Sequence, residues 1–304
     1  MVGDRRLGLV IITGQVGPER VTLRWTDIRV LALRAEEIGF DTVWAPDELL
    51  WRPAGRPQFG VWDVVSMLGA LAAVTSRVEI GSWVISALHR NPGITAKVAE
   101  TIDEISGGRF IFGLGAGHAW PGQAQAFGLP EDHIYARFEE ALEIIVPLLR
   151  GGRADFTGEW HSAHDLDQVP RGPRPGRIPI MLAGHGEKGM RHAAELADIW
   201  SCYSEERSDL AELGPRIAAL ERACAVVGRD PRSIGRSAGI DVAPGGVGDA
   251  PGIPKGAITG GTSEIVDRLA ELYDAGYTRL ECTLYPAGPA TLEAMAPVVE
   301  AMGG

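Results

Sequence analysis

Cysteine is scarce in this chain of 304 residues: there are three, Cys202, Cys224 and Cys282, widely spaced and without a C-x-x-C pair. Their spacing excludes a disulfide framework and a zinc site, and leaves packing as the role of each. No apolar run is long enough to cross a bilayer. The opening MVGDRRLGLVIITG passes from two arginines into a short strand without a small-residue cleavage site, so the expected location is cytoplasmic. Lys/Arg-rich runs are also missing, and the net charge is −11 with a pI near 5.2. That balance argues against nucleic acid or an anionic membrane surface as the main partner and makes a small molecule the expected ligand. His89, His118, His133, His161, His164, His185 and His192 form neither H-x-H nor H-E-x-x-H, so no metal site is expected.

What the chain does have is 45% hydrophobic residues, enough for one large core. They fall in short apolar strands alternating with amphipathic helical stretches. Strands are expected at Leu7 to Ile12, Thr42 to Ala45, Val78 to Val84, Phe110 to Leu114, Ile180 to Ala183, near Ile199, at Ile234 to Val242 and at Arg279 to Leu284. Helices are expected over about Thr22 to Ile38, Val61 to Ala73, Pro92 to Ile105, Ala136 to Leu149, after Gly186, Leu210 to Val227, Ser263 to Ala275 and from Thr291. Eight strand–helix pairs over this length favour α/β architecture as a (β/α)8 TIM-type barrel, a single domain over 1–304. Insertions are expected in the loops after strands 2, 4 and 7, with a small hairpin around Gly158 near 151–178. An open Rossmann sheet is the alternative.

The segment IPIMLAGHGEKGMRHAAELADIWS reads as strand, glycine turn, helix and strand. Backbone N–H groups and a helix N-terminus then converge on one point, which suits a phosphate. Gly184, Gly186 and Gly189 match G-x-G-x-x-G, with Glu205 or Glu206 at the distance of a ribose contact. The alternative is an ordinary βα turn whose glycines permit close helix packing.

Three segments together resemble the bacterial luciferase-like family of flavin-dependent monooxygenases and coenzyme F420-dependent oxidoreductases. They are FDTVWAPDELL at 40–50, HRNPGITAKVAETIDEISGGRFIFGLGAGH at 89–118 and AGHGEKGMRHAAELADIW from Ala183. The resemblance implies a TIM-type barrel and a homodimer, with the cofactor lying across the C-terminal mouth. Its phosphate would lie near Ala183, Gly184, His185 and Gly186. Asp47 would lie near the cofactor, as would Gly115 and Gly117 in the turn after strand four and Asn91 in the R-N-P of the resembled motif. A non-proline cis peptide between Trp83 and Val84, in the run Gly81-Ser82-Trp83-Val84, would support the ring face. Trp83 departs from the small residue often found there.

Relatives that use F420 carry an Asp-His pair after strand two and often a Glu after strand four; this chain has Asp47-Glu48 and His118, as if acid and imidazole were exchanged. Hydride or oxygen chemistry at a carbonyl-level centre needs a group that moves a proton near neutral pH. His118 is expected to be that acid/base, with Glu48 orienting it or holding its charge. The alternative makes Glu48 a solvated loop residue and His118 a packing histidine. Trp51, Arg52, His89, Arg90, Trp120, Tyr203 and Tyr285 fall near the mouth by topology; the aromatics among them would suit the wall of an apolar substrate pocket, loop packing is the alternative for each, and Arg90 is either an anion contact or a surface salt bridge. The expected activity is hydride transfer between F420 and a small organic substrate. A reduced-FMN monooxygenase and a non-catalytic flavin-binding barrel are the alternatives.

Overall fold

The apolar runs form eight parallel strands in the computed structural model, which describes residues 5–17, 19–51, 58–117, 122–245 and 252–303. In chain order they are β1 (Arg6–Val10), β2 (Thr42–Ala45), β3 (Glu79–Ser82), β4 (Phe110–Gly115), β5 (Ile180–Ala183), β6 (Ile199–Tyr203), β7 (Gly235–Pro244) and β8 (Arg279–Leu284). A helix follows each one: α1 (Trp25–Ile38), α2 (Val64–Val74), α3 (Pro92–Ser106), α4 (Ile134–Gly151), α5 (Glu187–Leu196), α6 (Leu210–Val227), α7 (Thr262–Asp274) and α8 (Pro289–Met302). Strand neighbours run in sequence order around the sheet, β8 pairs with β1, and β4 pairs with β5 through Ile180 beside Phe112. The sheet is therefore closed, a TIM-type barrel, and the open Rossmann alternative is excluded.

The expected insertions are present. After β2 comes a hairpin of Leu50–Trp51 with Phe59–Gly60, after β4 a short helix Gln123–Phe127, and after β7 the strand Ile258–Gly260 beside Val242–Pro244. The hairpin between α4 and β5 pairs Arg153–Thr157 with Ser162–Asp167. Its tip is held at α4 by Glu140, whose carboxylate accepts the backbone N–H groups of Glu159, Trp160 and His161 at 2.7–2.8 Å.

Two boundaries moved for local reasons. Residues Val21–Thr22 pair with Gln15–Val16 as a hairpin, so α1 starts at Trp25 rather than Thr22. Asp63 caps α2 by accepting from the Ser66 N–H, which sets its start at Val64 rather than Val61.

Inside the barrel, Val10, Trp44, Ile111, Met181 and Ile199 pack with Ile12, Trp83 and Val84. Trp44 lies across the axis because its neighbours on β1 and β3 are glycines: a Cβ on Gly8 or Gly81 would overlap its ring. The floor is polar. Arg279 donates to Thr42 and to Glu79 at 2.7 Å, and Ser237 donates to Glu281 at 3.1 Å. Complete burial pushes the Glu281 carboxyl up to about 7. With the floor filled, the open end is the C-terminal mouth.

Candidate active site

Three groups of residues meet at that mouth. The first joins the loops after β2, β3 and β4. Asp47 has a fully buried side chain, and Arg90 grips it with Nη1 on Oδ2 at 2.6 Å and Nη2 on Oδ1 at 3.1 Å. The backbone N–H of Ser86 donates to the same Oδ2 at 3.0 Å, and His89 Nδ1 lies 3.2 Å from it. Burial alone would push this carboxyl up; the His89 ring and the Arg90 guanidinium outweigh it and hold Asp47 below the usual carboxylate range. On its other side His89 meets Gln123 at 3.4 Å, and the Gln123 carbonyl accepts from Leu49 and Leu50 N–H. Asp47, expected beside the cofactor, thus spends its oxygens on its own loops.

Arg90 also reaches the α2 cap Asp63 at 3.0 Å. Next to it Asn91 caps α3, its side-chain oxygen accepting from Gly93 and Ile94. Residues 87–91 line an open pocket of about 310 Å³ together with Pro130, Arg137 and His161.

The second group is the end of β3 against β4. Ser82 is buried, and its hydroxyl both donates to Gly113 O and accepts from Gly113 N at 2.8 Å, so it rivets two strands together. The next peptide, Trp83–Val84, is cis, as the resemblance implied. Val84 fills the space left by Gly113 and Gly115, and a Cβ on Gly117 would strike Ser86 and Leu88. Packing by itself therefore accounts for these glycines. Trp83 turns across the barrel to meet Tyr203 edge to face, ring centres 5.6 Å apart, over Gly239, where a Cβ would overlap both rings. Its indole N–H is buried with no hydrogen-bond partner among the described residues.

The third group is the turn from β5 into α5. Ala183 ends the strand half-buried; Gly184 follows at φ 141°, tied down by Trp200 Nε1 donating to its carbonyl at 2.7 Å. Gly189 packs against Gly184, which explains two of the fingerprint glycines by helix–strand contact. Among the described residues no side-chain oxygen caps α5 at Gly186, and none lies within 4 Å of where a Cβ there would be. The first N–H groups of α5 therefore have no side-chain cap in front of them. His185 is half-exposed, with Nε2 3.5 Å from Glu205 Oε1.

One residue of the mouth escaped sequence reading. Asp241, on β7, is 6% exposed, and the Tyr203 hydroxyl lies 3.1 Å from each of its carboxyl oxygens. Tyr285 hydrogen-bonds it from the end of β8. Burial pushes the Asp241 carboxyl up to about 6, with the Glu212 charge adding to the push and the two phenols opposing it. The available signal was a lone acid in the otherwise apolar or small run SAGIDVAP, two and four residues beyond Gly239 and Ser237 on the inward face.

The proposed His118–Glu48 pair is not on view: His118 lies outside the described residues, as do Arg52 and Trp120, and Glu48 is half-buried in the loop after β2. Among the described residues no group of three His, Cys, Asp or Glu is placed to hold a metal ion, and no helix is long and apolar enough to cross a membrane.

The family model for luciferase-like monooxygenases matches residues 6–246. The chain belongs to this luciferase-like family. Similar curated proteins include an F420-dependent glucose-6-phosphate dehydrogenase of Kineococcus radiotolerans, 34% identical over 59% of this chain and 52% of that protein. A pyrimidine monooxygenase RutA of Cronobacter sakazakii is 33% identical over 58% and 53% of the two chains. A 5,10-methylenetetrahydromethanopterin reductase of Archaeoglobus fulgidus is 32% identical over 58% and 48%. The chain thus spans about half the length of these relatives. Among solved structures, an F420-dependent secondary alcohol dehydrogenase in complex with an F420–acetone adduct superposes with a TM-score of 0.83. It covers 99% of this chain and 100% of the other at 18% identity, a likeness of fold. This luciferase-like barrel is therefore similar both to F420-dependent dehydrogenases and to a monooxygenase.

Proposed function

We propose that this chain is an oxidoreductase that moves a hydride between coenzyme F420 and a small organic substrate at the C-terminal mouth. One observation carries the reading. The uncapped turn Gly184-His185-Gly186 at the head of α5 shares a mouth with the aromatic wall of Trp83 and Tyr203. The turn suits a phosphate, and the wall suits a flat ring. The open space at Gly186 and the unpartnered Trp83 indole N–H fit such a group.

Ala183, Gly184, His185 and Gly186 would hold the phosphate, and Trp83 and Val84 the ring. Asp47, His89 and Arg90 would act by fixing the three loops around it. Glu48 and His118 are the acid/base pair that the sequence leads one to expect, with His118 outside the described residues. When bound, the deazaflavin supplies a two-electron hydride carrier. A reduced-FMN monooxygenase is the second reading, favoured by the 33% identity to pyrimidine monooxygenases.

The test is titration of the purified protein with F420 and, separately, with oxidised and reduced FMN, followed by tryptophan fluorescence. Quenching by F420 in preference to either flavin supports the proposal. Preference for reduced FMN with oxygen consumption replaces it with the monooxygenase, and binding of neither removes the cofactor assignment.

A further inference from the structure

We propose that Asp241 is a catalytic residue of this mouth, exchanging a proton with an oxygen of the bound substrate while Tyr203 and Tyr285 hold its carboxyl. The inference rests on the hydride-transfer reading above and assigns the substrate proton to Asp241 in place of the His118–Glu48 pair, of which His118 lies outside the described residues.

Its position follows from strand alternation. Ser237 reaches Glu281 inside the barrel, and Gly239 underlies Trp83 and Tyr203, so Asp241 is the next inward residue, in the layer of the aromatic wall. Its backbone N–H is held separately, donating to Ser208 Oγ at 3.0 Å. The titratable groups that act on it are Tyr203 from β6, Tyr285 beyond β8 and Glu212 from α6, while Cys282 on β8 feels its charge in turn. No lysine or arginine is among the groups that shift it.

A buried carboxylate is ordinarily matched by a cation; this one has phenols. Phenols are weaker compensation, so the protonated and ionised forms are of similar free energy near neutral pH, which is the condition for efficient proton exchange. Burial and the Asp241 charge raise the pKa of both phenols, so the tyrosines stay neutral and donate. Tyr203 is 39% exposed as a residue, and its hydroxyl lies on the buried carboxyl.

The chemistry this serves is oxidation of a hydroxyl to a carbonyl, or its reverse. The C–H bond breaks with its electron pair leaving as hydride to oxidised F420. The O–H bond breaks with its proton going to an Asp241 oxygen, and the electron pair left on oxygen becomes the second C–O bond. In reverse, Asp241 returns the proton. A carboxyl that only anchored two phenols would not need to titrate.

The experiment has two readouts. Carbon-13 NMR of aspartate-labelled protein should show one carboxyl titrating near pH 6. That resonance should vanish in Asp241→Asn and shift in Tyr203→Phe. Absence of any such carboxyl overturns the proposal. The F420-loaded protein, offered a panel of small primary and secondary alcohols, should lose about 100-fold or more in kcat on Asp241→Asn, with F420 affinity retained and a cooperative unfolding transition no lower than that of the wild type at neutral pH. Asp241→Glu should restore part of the rate. Undiminished turnover in the folded Asp241→Asn variant overturns the assignment, as does failure of the F420-loaded wild type to oxidise any alcohol. Failure of the wild type to bind F420 at all strikes instead at the proposed function, and the carboxyl titration separates the two.

Discussion

Arg90 closes on Asp47 at two points, 2.6 and 3.1 Å, and so ties the loop after the second strand to the loop after the third. The carboxylate is fully buried, which makes the pair unlike a surface ion pair. Breaking it from one side leaves a buried charge with only His89 and one backbone N–H. Arg90→Gln should therefore cost about 3–5 kcal/mol in urea unfolding. Arg90→Lys keeps the charge but loses the fork and should fall between. A lysine variant as stable as the wild type would show that the two-point geometry contributes nothing.

The two mouth carboxylates should respond to pH with opposite sign. Asp47 is held below its ordinary 3.8, so the folded state favours its ionised form; the stability this adds is present above that value and is lost as pH falls through the folded pKa. Asp47→Asn should thus cost most at neutral pH and progressively less in acid. Asp241 is raised from 3.8 to about 6, so the folded state favours its protonated form. Its effect is absent below the unfolded value, and stability falls as pH rises from about 4 to about 6, by up to roughly 3 kcal/mol for a shift of this size. The unfolding temperature of Asp241→Asn relative to wild type should be higher at pH 8 than at pH 4. A difference independent of pH would contradict the burial argument.

The barrel was legible because its signals are local. Ile180 to Ala183, Leu210 to Val227 and Arg279 to Leu284 stand where periodicity and turn residues placed them. The site was less legible because its contacts join residues far apart in the chain. Nothing near Asp47 in sequence announces that Arg90, His89 and Gln123 converge through it. Ser82 falls in the run that the resemblance places at the ring face, and the contact of its hydroxyl with Gly113 inside the sheet is not visible in that run. Asp241 was passed over inside an apolar strand, and only the alternation that sends Ser237, Gly239 and Asp241 inward reveals it.

Glycine substitutions separate packing from flexibility. A Cβ on Gly81 would overlap the Trp44 ring, which is fully buried and has nowhere to move. Gly81→Ala should cost about 1–3 kcal/mol or more, the usual range for overpacking. Gly69, within α2, has nothing within 4 Å of the same atom, and Gly69→Ala should stabilise by about 0.5–1 kcal/mol. Urea midpoints of the two variants should move in opposite directions. Equal shifts would mean that Trp44 does not fill the barrel as described.

The phosphate assignment is best tested at Gly186 rather than Gly184. Gly184 sits at φ 141°, where any side chain is strained, so a lost function there could be a damaged turn. Gly186 has φ −74° and ψ 159°, extended backbone open to any residue, and free space around the missing Cβ. Gly186→Val should cost only about 1 kcal/mol of stability, the scale of an N-cap change. It would nonetheless put two methyl groups where backbone N–H groups must meet the ligand. F420 affinity should then drop by about 10-fold or more, the equivalent of one charge-assisted hydrogen bond or so. A folded Gly186→Val protein that binds F420 as the wild type does would move the phosphate away from α5, and with it the orientation of the ring across the mouth.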